Sequence, residues 1–172
     1  MREAIISELS KILGLKLQSA GRASNLFWLG FGDMVTVTKR EKTNIVAEYA
    51  LNIQCSWRIC KGKKILVASR DFYSPFSGWD EANGDFEWDI QGNNRFDERI
   101  KLFMESVQGN IIVESIDSDE VGGLKVFLSE EFLLEVFPDS TEDDEYSEFW
   151  RFFNRKNGSP HFVVTIKGID KV

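Results

Sequence analysis

The alternation of apolar and polar residues between Ile45 and Cys60 is the strongest pattern in the chain. Its odd-numbered positions are apolar or amphipathic, namely Ile45, Ala47, Tyr49, Leu51, Ile53, Cys55, Trp57 and Ile59. The even-numbered positions from 48 onward are mostly polar. Because successive side chains of a strand point to opposite faces, the stretch predicts a β-strand with one buried face. At about 3.3 Å per residue it would span about 50 Å, so we expect a bend or bulge inside it.

Other periodic segments predict two helices and a series of shorter strands. Apolar residues at helical spacing mark residues 2–13 and the segment that follows Asn94, a suitable N-cap, while Gly14 and Gly109 are placed to end these helices. Strands are predicted at 15–19, 25–31, 34–40, 64–69, 110–116, 124–129, 132–137, 149–154 and 161–167. Residues 70–94 are irregular, and a long loop inside a compact domain is usually functional or mobile.

The order of these elements predicts the fold class. Strands that follow strands through short turns indicate an antiparallel meander and not alternating βα units. We therefore predict an α+β protein with a mainly antiparallel, curved β-sheet and two α-helices packed against it. A length of 172 residues predicts a single domain over residues 1–172.

Charge and composition indicate which classes of partner and which cellular compartment suit the chain. A net charge of −7 argues against general nucleic-acid binding, which needs a basic surface, and favours a basic partner. The first residues carry charges where a signal peptide needs an apolar core, and no apolar run approaches the ~20 residues of a membrane span. Cys55 and Cys60 fall on opposite faces of the predicted strand, so we expect no disulfide between them. These features predict a cytoplasmic protein without membrane contact.

Catalytic chemistry has little support in the sequence. His161 is the only histidine, so every triad or dyad that needs imidazole must use it. The pattern around it predicts an edge histidine with ordinary hydrogen bonds, and the chain has no nucleophile-elbow sequence. The alternative is a Cys–His pair assembled by the fold, although Cys55 lies on an apolar face where a thiol usually behaves as a small hydrophobe. We predict no catalytic residues, and an enzyme ranks third among the functional hypotheses.

Metal and cofactor motifs are incomplete. One histidine and two cysteines cannot form a structural zinc site without carboxylates. Residues 117–122 begin like a calcium loop, but Val121 stands where a ligand is needed and Leu128 where the closing glutamate belongs. The Gly-Phe-Gly at 30–32 lacks the third glycine of a dinucleotide-binding turn. We therefore predict neither a metal nor a cofactor.

The polar side of the 45–60 strand is one candidate binding surface. Its candidate residues are Glu48, Asn52, Gln54 and Arg58. The ordinary interpretation is a solvated sheet face. The functional interpretation is a ligand-binding row, because arginine and amide side chains bind carboxylate or amide groups in a fixed geometry. It predicts a small-ligand-binding domain that uses this face together with the 70–94 loop.

The acidic segment 139–148 is the other candidate surface, with six acidic residues among its ten. Most such runs are solvated loops. The functional interpretation is a docking surface for a basic protein, with an aromatic anchor in the middle of the acids. The candidate residues are Glu142, Asp143, Asp144, Glu145 and Tyr146.

Residues 51–58 read Leu-Asn-Ile-Gln-Cys-Ser-Trp-Arg, which resembles the Leu-x-x-Gln-Cys-x-Trp-Arg strand of a group of small uncharacterised bacterial cytoplasmic proteins. Residues 69–71, 149–152 and 161–164 fit the same resemblance, which implies no activity. By analogy, some small acidic bacterial proteins are immunity proteins that neutralise toxins. The leading hypothesis is therefore a non-catalytic interaction protein, an immunity-type binder of a basic bacterial protein. The alternative is the small-ligand-binding domain.

Overall fold

Two antiparallel β-sheets and two α-helices make up the protein in a computed structural model that describes residues 1–144 and 147–172, apart from the side chains of Lys39 and Glu81. Helix α1 is Arg2–Leu9 and helix α2 is Arg95–Val107. The strands are β1 Leu17–Ala23, β2 Leu26–Lys39, β3 Lys42–Ile53, β4 Ser56–Lys61, β5 Lys64–Ala68, β6 Val113–Ser118, β7 Leu124–Leu128, β8 Phe132–Phe137, β9 Trp150–Asn154, β10 Phe162–Thr165 and β11 Gly168–Lys171. Short 3-10 helices are Ser10–Ile12, Ser69–Tyr73 and Glu81–Asn83.

The strands are divided between two sheets. The first sheet has the order β1-β2-β3-β9-β10-β11, and the second has the order β5-β4-β8-β7-β6. The predicted α+β class with antiparallel pairing is confirmed, but the expected single curved sheet is two sheets around one core. Strand β11 was not expected from the sequence. Within the described residues, no helix has the length and apolar character needed to cross a membrane.

The predicted long strand bends at Gln54 and Cys55, where it passes from the first sheet to the second. Strand β3 pairs with β2 and β9, whereas β4 pairs with β5 and β8. The amides of Gln54 and Cys55 both donate to the carbonyl of Phe149, at 2.9 and 3.3 Å. The alternation keeps its phase across the bend, because Ile53 and Trp57 are both buried in the core. The expected bend is therefore confirmed, and it also separates two sheets.

An aromatic cluster around Trp57 joins the two sheets and α2. The Trp57 ring stacks on Phe27 of the first sheet with centroids 3.9 Å apart. It also makes edge contacts with Phe96 of α2 and with Phe72, at centroid distances of 5.8 and 6.0 Å. Aromatic pairs in these arrangements stabilise a core beyond the area they bury. Both sheets therefore share one apolar core, which also holds Ile5 of α1.

The end of the β2–β3 hairpin extends beyond the rest of the first sheet. The register shifts between Phe31 and Met34, and pairing then continues to the tip of the hairpin. Residues 34–39 and 42–47 are called here the hairpin arm. In the described part of the chain no third strand pairs with them, since the register of β1 stops at Phe31 and that of β9 at Tyr49. For this reason Ile45, which the alternation predicts to be buried, is 69% exposed.

A buried ion pair ties β1, α2 and the end of the 70–94 loop together. Asp97 accepts hydrogen bonds from Arg22 Nε at 2.8 Å, from Arg22 Nη2 at 2.9 Å and from the amide of Gly92 at 2.7 Å. The Arg22 side chain is only 2% exposed. The Asp97 amide donates to Asn94 Oδ1 at 2.9 Å, so the predicted N-cap is confirmed.

The two thiols are free and occupy different environments. Cys55 lies half-buried at the bend and packs against the core. Burial, and secondarily the charge of Asp139, raises the pKa of the Cys55 thiol to about 12. Cys60 is buried beside Ile59 of β4 but does not belong to the core cluster. A protonated thiol is a poor nucleophile, so Cys55 is not suited to covalent catalysis.

Truncating Trp57 should cost more stability than truncating its neighbour Arg58. Because Trp57 is 2% exposed, Trp57→Ala should lower the free energy of unfolding by about 3–5 kcal/mol. The Arg58 side chain is 41% exposed but its partner Glu135 is only 10% exposed, so Arg58→Ala should cost about 1–3 kcal/mol, chiefly for the carboxylate left unpaired. Urea denaturation measures both losses. Equal losses would mean that the polar face of β4 is as buried as its apolar face.

Cys55 should react very slowly with alkylating reagents in the native protein. With a pKa of about 12 for Cys55, only about one thiol in 10⁴ is ionised at pH 8, against about one in four for an ordinary cysteine. Labelling with iodoacetamide should therefore accelerate about tenfold with each pH unit above 8. Mass spectrometry of the labelled peptide gives the rate, with the urea-unfolded protein as the control. Rapid native labelling at pH 8, or a Cys55–Cys60 disulfide formed without oxidant, would contradict this structure of the bend.

Candidate functional site

The outer face of the first sheet carries the candidate site. The helices pack elsewhere, α1 against β6 and α2 against β5 and β1. One row of successive cross-strand partners shares this face. It consists of Gly21 on β1, Trp28 on β2, Asn52 on β3 and Arg151 on β9. Their sequence neighbours, such as Leu51, point into the core from the opposite face.

The hairpin arm and this outer face enclose a cleft of about 420 Å³, called here the hairpin cleft. Its lining residues are Ser19, Ala23, Leu26, Trp28, Met34, Ile45, Val46, Asn52 and Arg155. The arm leaves the sheet at the bulge beside Gly32, whose φ of +88° favours glycine. The cleft is within the usual range for small-molecule sites, ~300–1,000 Å³.

Two strand glycines allow the cleft to exist. A Cβ atom on Gly21 would lie 2.5 Å from Cζ2 of Trp28, so the indole rests directly on the backbone of β1. A Cβ atom on Gly30 would lie 2.6 Å from Ser19 Oγ and 2.8 Å from Ala47 Cβ. Larger residues at either position would displace the walls, which explains why glycine occupies strand interiors that it ordinarily weakens.

Arg155 supplies the positive charge of the cleft. Its Nη1 donates to the carbonyl of Ala47 at 3.0 Å, and its guanidinium lies 5.6 Å from the centroid of the Phe153 ring. Burial lowers the pKa of Arg155 below its ordinary value. Among the described residues no carboxylate pairs with it. A cation partly removed from water without an anionic partner is unfavourable, and a bound anion would relieve that cost.

Asn52 and Ser19 add neutral polar groups beside this charge. Both side chains line the cleft, and neither forms a hydrogen bond with another residue in the described part of the chain. The remaining wall is apolar, and Met34 and Ile45 of the arm are largely exposed there. The cleft thus offers a guanidinium, an amide and a hydroxyl at one side of an apolar chamber. Among the described residues that line it there is no histidine, cysteine or carboxylate, and the three polar groups present can each donate hydrogen bonds to a ligand.

The predicted ligand-binding row is dispersed by the bend and by side-chain pairing. Only Asn52 of its four members lines the hairpin cleft. The other three pair within the protein: Glu48 with Asn154 at 2.9 Å, Gln54 with Glu148 at 2.6 Å, and Arg58 with Glu135 at 2.6 Å. Arg58 belongs to the second sheet, because β4 starts after the bend. The 70–94 loop, which was expected to contribute, does not line this cleft.

The middle of the acidic segment is exposed, whereas the residues at its two ends form contacts within the protein. Glu142, Asp143 and Asp144 are exposed, whereas Glu145 and Tyr146 lie outside the described residues. At the ends, Asp139 bonds to Ser56 and Glu148 pairs with Arg151. Lys167 Nζ lies 3.9 Å from the Asp143 carboxylate. Part of the negative charge is therefore already balanced inside the protein.

His161 has the contacts of a structural histidine. Its ring stacks on Phe153 with centroids 4.1 Å apart, and Nδ1 lies 3.3 Å from Arg151 Nη1. Burial, and secondarily the charge of Arg151, lowers the pKa of His161 below its ordinary value. His161 does not line the hairpin cleft.

Local sequence reasoning missed Arg155, Ser19 and Trp28. Arg155 follows β9, more than a hundred residues after the strands it meets, and nothing in its local pattern indicates a shared cleft. The available signal was Gly21 and Gly30, because a glycine inside a strand pattern often marks a close approach of other groups.

Comparison with protein-family models, with curated proteins and with solved structures finds no match for this chain. The resemblance of residues 51–58 to a bacterial group therefore stays a prediction. Function cannot be transferred by analogy of fold, and it must be derived from the chemistry of the site itself.

Proposed function

We propose that this chain is a non-catalytic, cytoplasmic ligand-binding protein whose hairpin cleft binds a small organic anion with an apolar body. The observation that carries the proposal is Arg155, a partly buried guanidinium without a carboxylate partner among the described residues. A carboxylate is the anion that best fits, because the planar guanidinium can donate two parallel hydrogen bonds to it.

The rest of the cleft supports the same class of ligand. The amide of Asn52 and the hydroxyl of Ser19 can donate further hydrogen bonds to an anionic group. The indole of Trp28 and the exposed side chains of Met34 and Ile45 provide apolar area for a carbon skeleton. Burying these side chains would also stabilise the arm, since an isolated two-stranded hairpin is only marginally stable in water.

Monocarboxylates should bind much more tightly than their uncharged amides. We choose octanoate, benzoate and indole-3-acetate as probes, each paired with its amide, and isothermal titration calorimetry as the measurement. Because a hydrogen bond to a charged group contributes ~1.5–3 kcal/mol, at least one acid should bind at least ~10-fold more tightly than its amide. Arg155→Met should abolish this preference. Its stability without ligand should stay within about 1 kcal/mol of the wild type, since the guanidinium loses one hydrogen bond but no ion pair.

Arg58→Met is the matched control, because it removes a paired guanidinium from the other sheet and should leave probe binding unchanged. Chemical shifts of the Trp28 indole should move with the acids and not with the amides. Equal affinities for acids and amides, no binding by any probe, or full binding by Arg155→Met would each contradict the proposal.

Docking of a basic protein on the acidic segment is a second candidate function. The exposure of Glu142, Asp143 and Asp144 favours it, as does the net charge of −7. This candidate corresponds to an immunity-type interaction protein. It is independent of the hairpin cleft, whose lining contains none of these residues.

Neutralising the segment should reduce capture of basic proteins from a lysate of the native host. The test variant replaces four acids of the segment with Gln or Asn, namely Glu142, Asp143, Asp144 and Glu145. The control variant instead neutralises four scattered exposed acids, Glu3, Asp33, Glu41 and Asp170. Capture by the wild type should fall as salt shortens the Debye length from ~10 Å at 0.1 M to ~3 Å at 1 M. Quantitative mass spectrometry compares the captured proteins. Identical recovery by both variants would argue against docking at this segment.

A further inference from the structure

A second groove lies on the other side of β1, between that strand and α2. Its volume is about 740 Å³, larger than that of the hairpin cleft. Strand β1 contributes Ala20 and Gly21 to one wall, and α2 contributes Ile100, Leu102 and Met104 to the other. We call it the β1–α2 groove, and it is separate from the ligand site proposed above.

The strand wall of this groove is an open sheet edge. Strand β1 is the terminal strand of the first sheet, and among the described strands it pairs with β2 alone. On its other side, the amide of Leu17 donates to the carbonyl of Ile111 at 3.0 Å. From residue 18 to residue 23, no backbone group has a backbone partner on that side among the described residues. Alternate N–H and C=O groups of an antiparallel strand face away from its partner, and Ala20 and Gly21 are the β1 residues that border the groove.

This edge lacks most of the features that usually protect a sheet edge. Charged side chains, prolines, bulges and a covering helix or loop are the common protections against strand addition. Of these, Phe76, Gln91 and Gly92 of the 70–94 loop line the groove beside the edge. The bulge of β1 lies before this stretch, between Leu17 and Ser19. The one charged side chain of the stretch, Arg22, is buried in its pair with Asp97 and donates to the Asp89 carbonyl at 3.3 Å, so it closes only one end of the edge. The small residues Ala20 and Gly21 leave room for another backbone to approach.

The helix wall of the groove offers apolar contacts with an acidic border. Leu102 is 53% exposed, and Met104 and Ile100 lie beside it on the groove. The Glu105 carboxylate of α2 is 61% exposed although Lys101 lies 4.0 Å from it. The Asp89 carboxylate of the adjoining loop is 63% exposed and lies 3.4 Å from Arg22. The Glu98 carboxylate of α2 also lines the groove. Lys101 is the one basic side chain that lines the groove.

We infer that the β1–α2 groove binds an extended, basic peptide segment of a partner protein, which adds a strand to β1. The open backbone edge requires an extended segment, because only a strand can pair with a row of N–H and C=O groups. Apolar side chains at alternate positions would pack on Leu102 and Met104. Lysine or arginine at the intervening positions would complement the acidic border. The buried pair of Arg22 and Asp97 closes one end of the groove and fixes the position of α2 against the edge.

Selection from a displayed library of short random peptides tests this inference with the whole chain as bait. Enriched sequences should alternate apolar residues with lysine or arginine, and their affinity should fall with added salt. Leu102→Glu should weaken the best synthetic peptide at least ~10-fold, because it places a charge on the apolar contact. Glu105→Lys should also weaken it. Leu13→Glu, at an exposed leucine outside the groove, is the matched control and should bind normally.

Hydrogen exchange distinguishes strand addition from simple contact with the helix. When the peptide is bound, amides of residues 18–23 that do not pair with β2 should gain protection, since they acquire hydrogen-bond partners. The free chain should remain monomeric in light scattering. The inference is overturned if no peptide is enriched, if the Leu102→Glu variant binds as the wild type does, or if these amides exchange unchanged. Self-association that protects the same amides would also overturn it and would make a second copy the occupant.

Discussion

The bend at Gln54 and Cys55 is the constraint on which both sheets depend. Their two amides share the carbonyl of Phe149, at 2.9 and 3.3 Å, and this fixes β3 against β9 where the chain leaves the first sheet. Because the alternation of faces stays in phase, Trp57 enters the same core as Ile53 and stacks on Phe27. One continuous segment thereby supplies an interior strand to each sheet, and a single apolar core can form behind both.

In this arrangement the hairpin arm and the outer face of the first sheet form the walls of one cleft. Asn52, Trp28 and Arg155 line the hairpin cleft together with Met34, Ile45 and Val46 of the arm. The arm extends past its neighbouring strands and exposes Ile45. The partly buried cation of Arg155 and the exposed apolar side chains of the arm are both unfavourable in water. An anion with an apolar body would relieve both costs together, which is the physical basis of the proposed function.

Strand β1 separates the two proposed binding surfaces. Gly21 supports the indole of Trp28 on the side of the hairpin cleft, and its backbone borders the β1–α2 groove on the other side. The ion pair of Arg22 with Asp97 holds the same strand against α2. A peptide paired with β1 would therefore lie one strand away from a ligand in the cleft. The two sites can be assayed separately, because no residue of α2 lines the hairpin cleft.

The sequence by itself determined the local elements, because periodicity and capping are properties of neighbouring residues. The α+β class, the bend in the 45–60 strand and the cap at Asn94 all follow from such local patterns. Tertiary structure decided which sheet each strand joins, since the Phe149 carbonyl, which accepts the two hydrogen bonds of the bend, lies far along the chain. It also placed Ser19, Asn52 and Arg155 in one cleft and Arg58 in the second sheet. Long-range hydrogen bonds and strand ends set these positions, and no local pattern of residues encodes them.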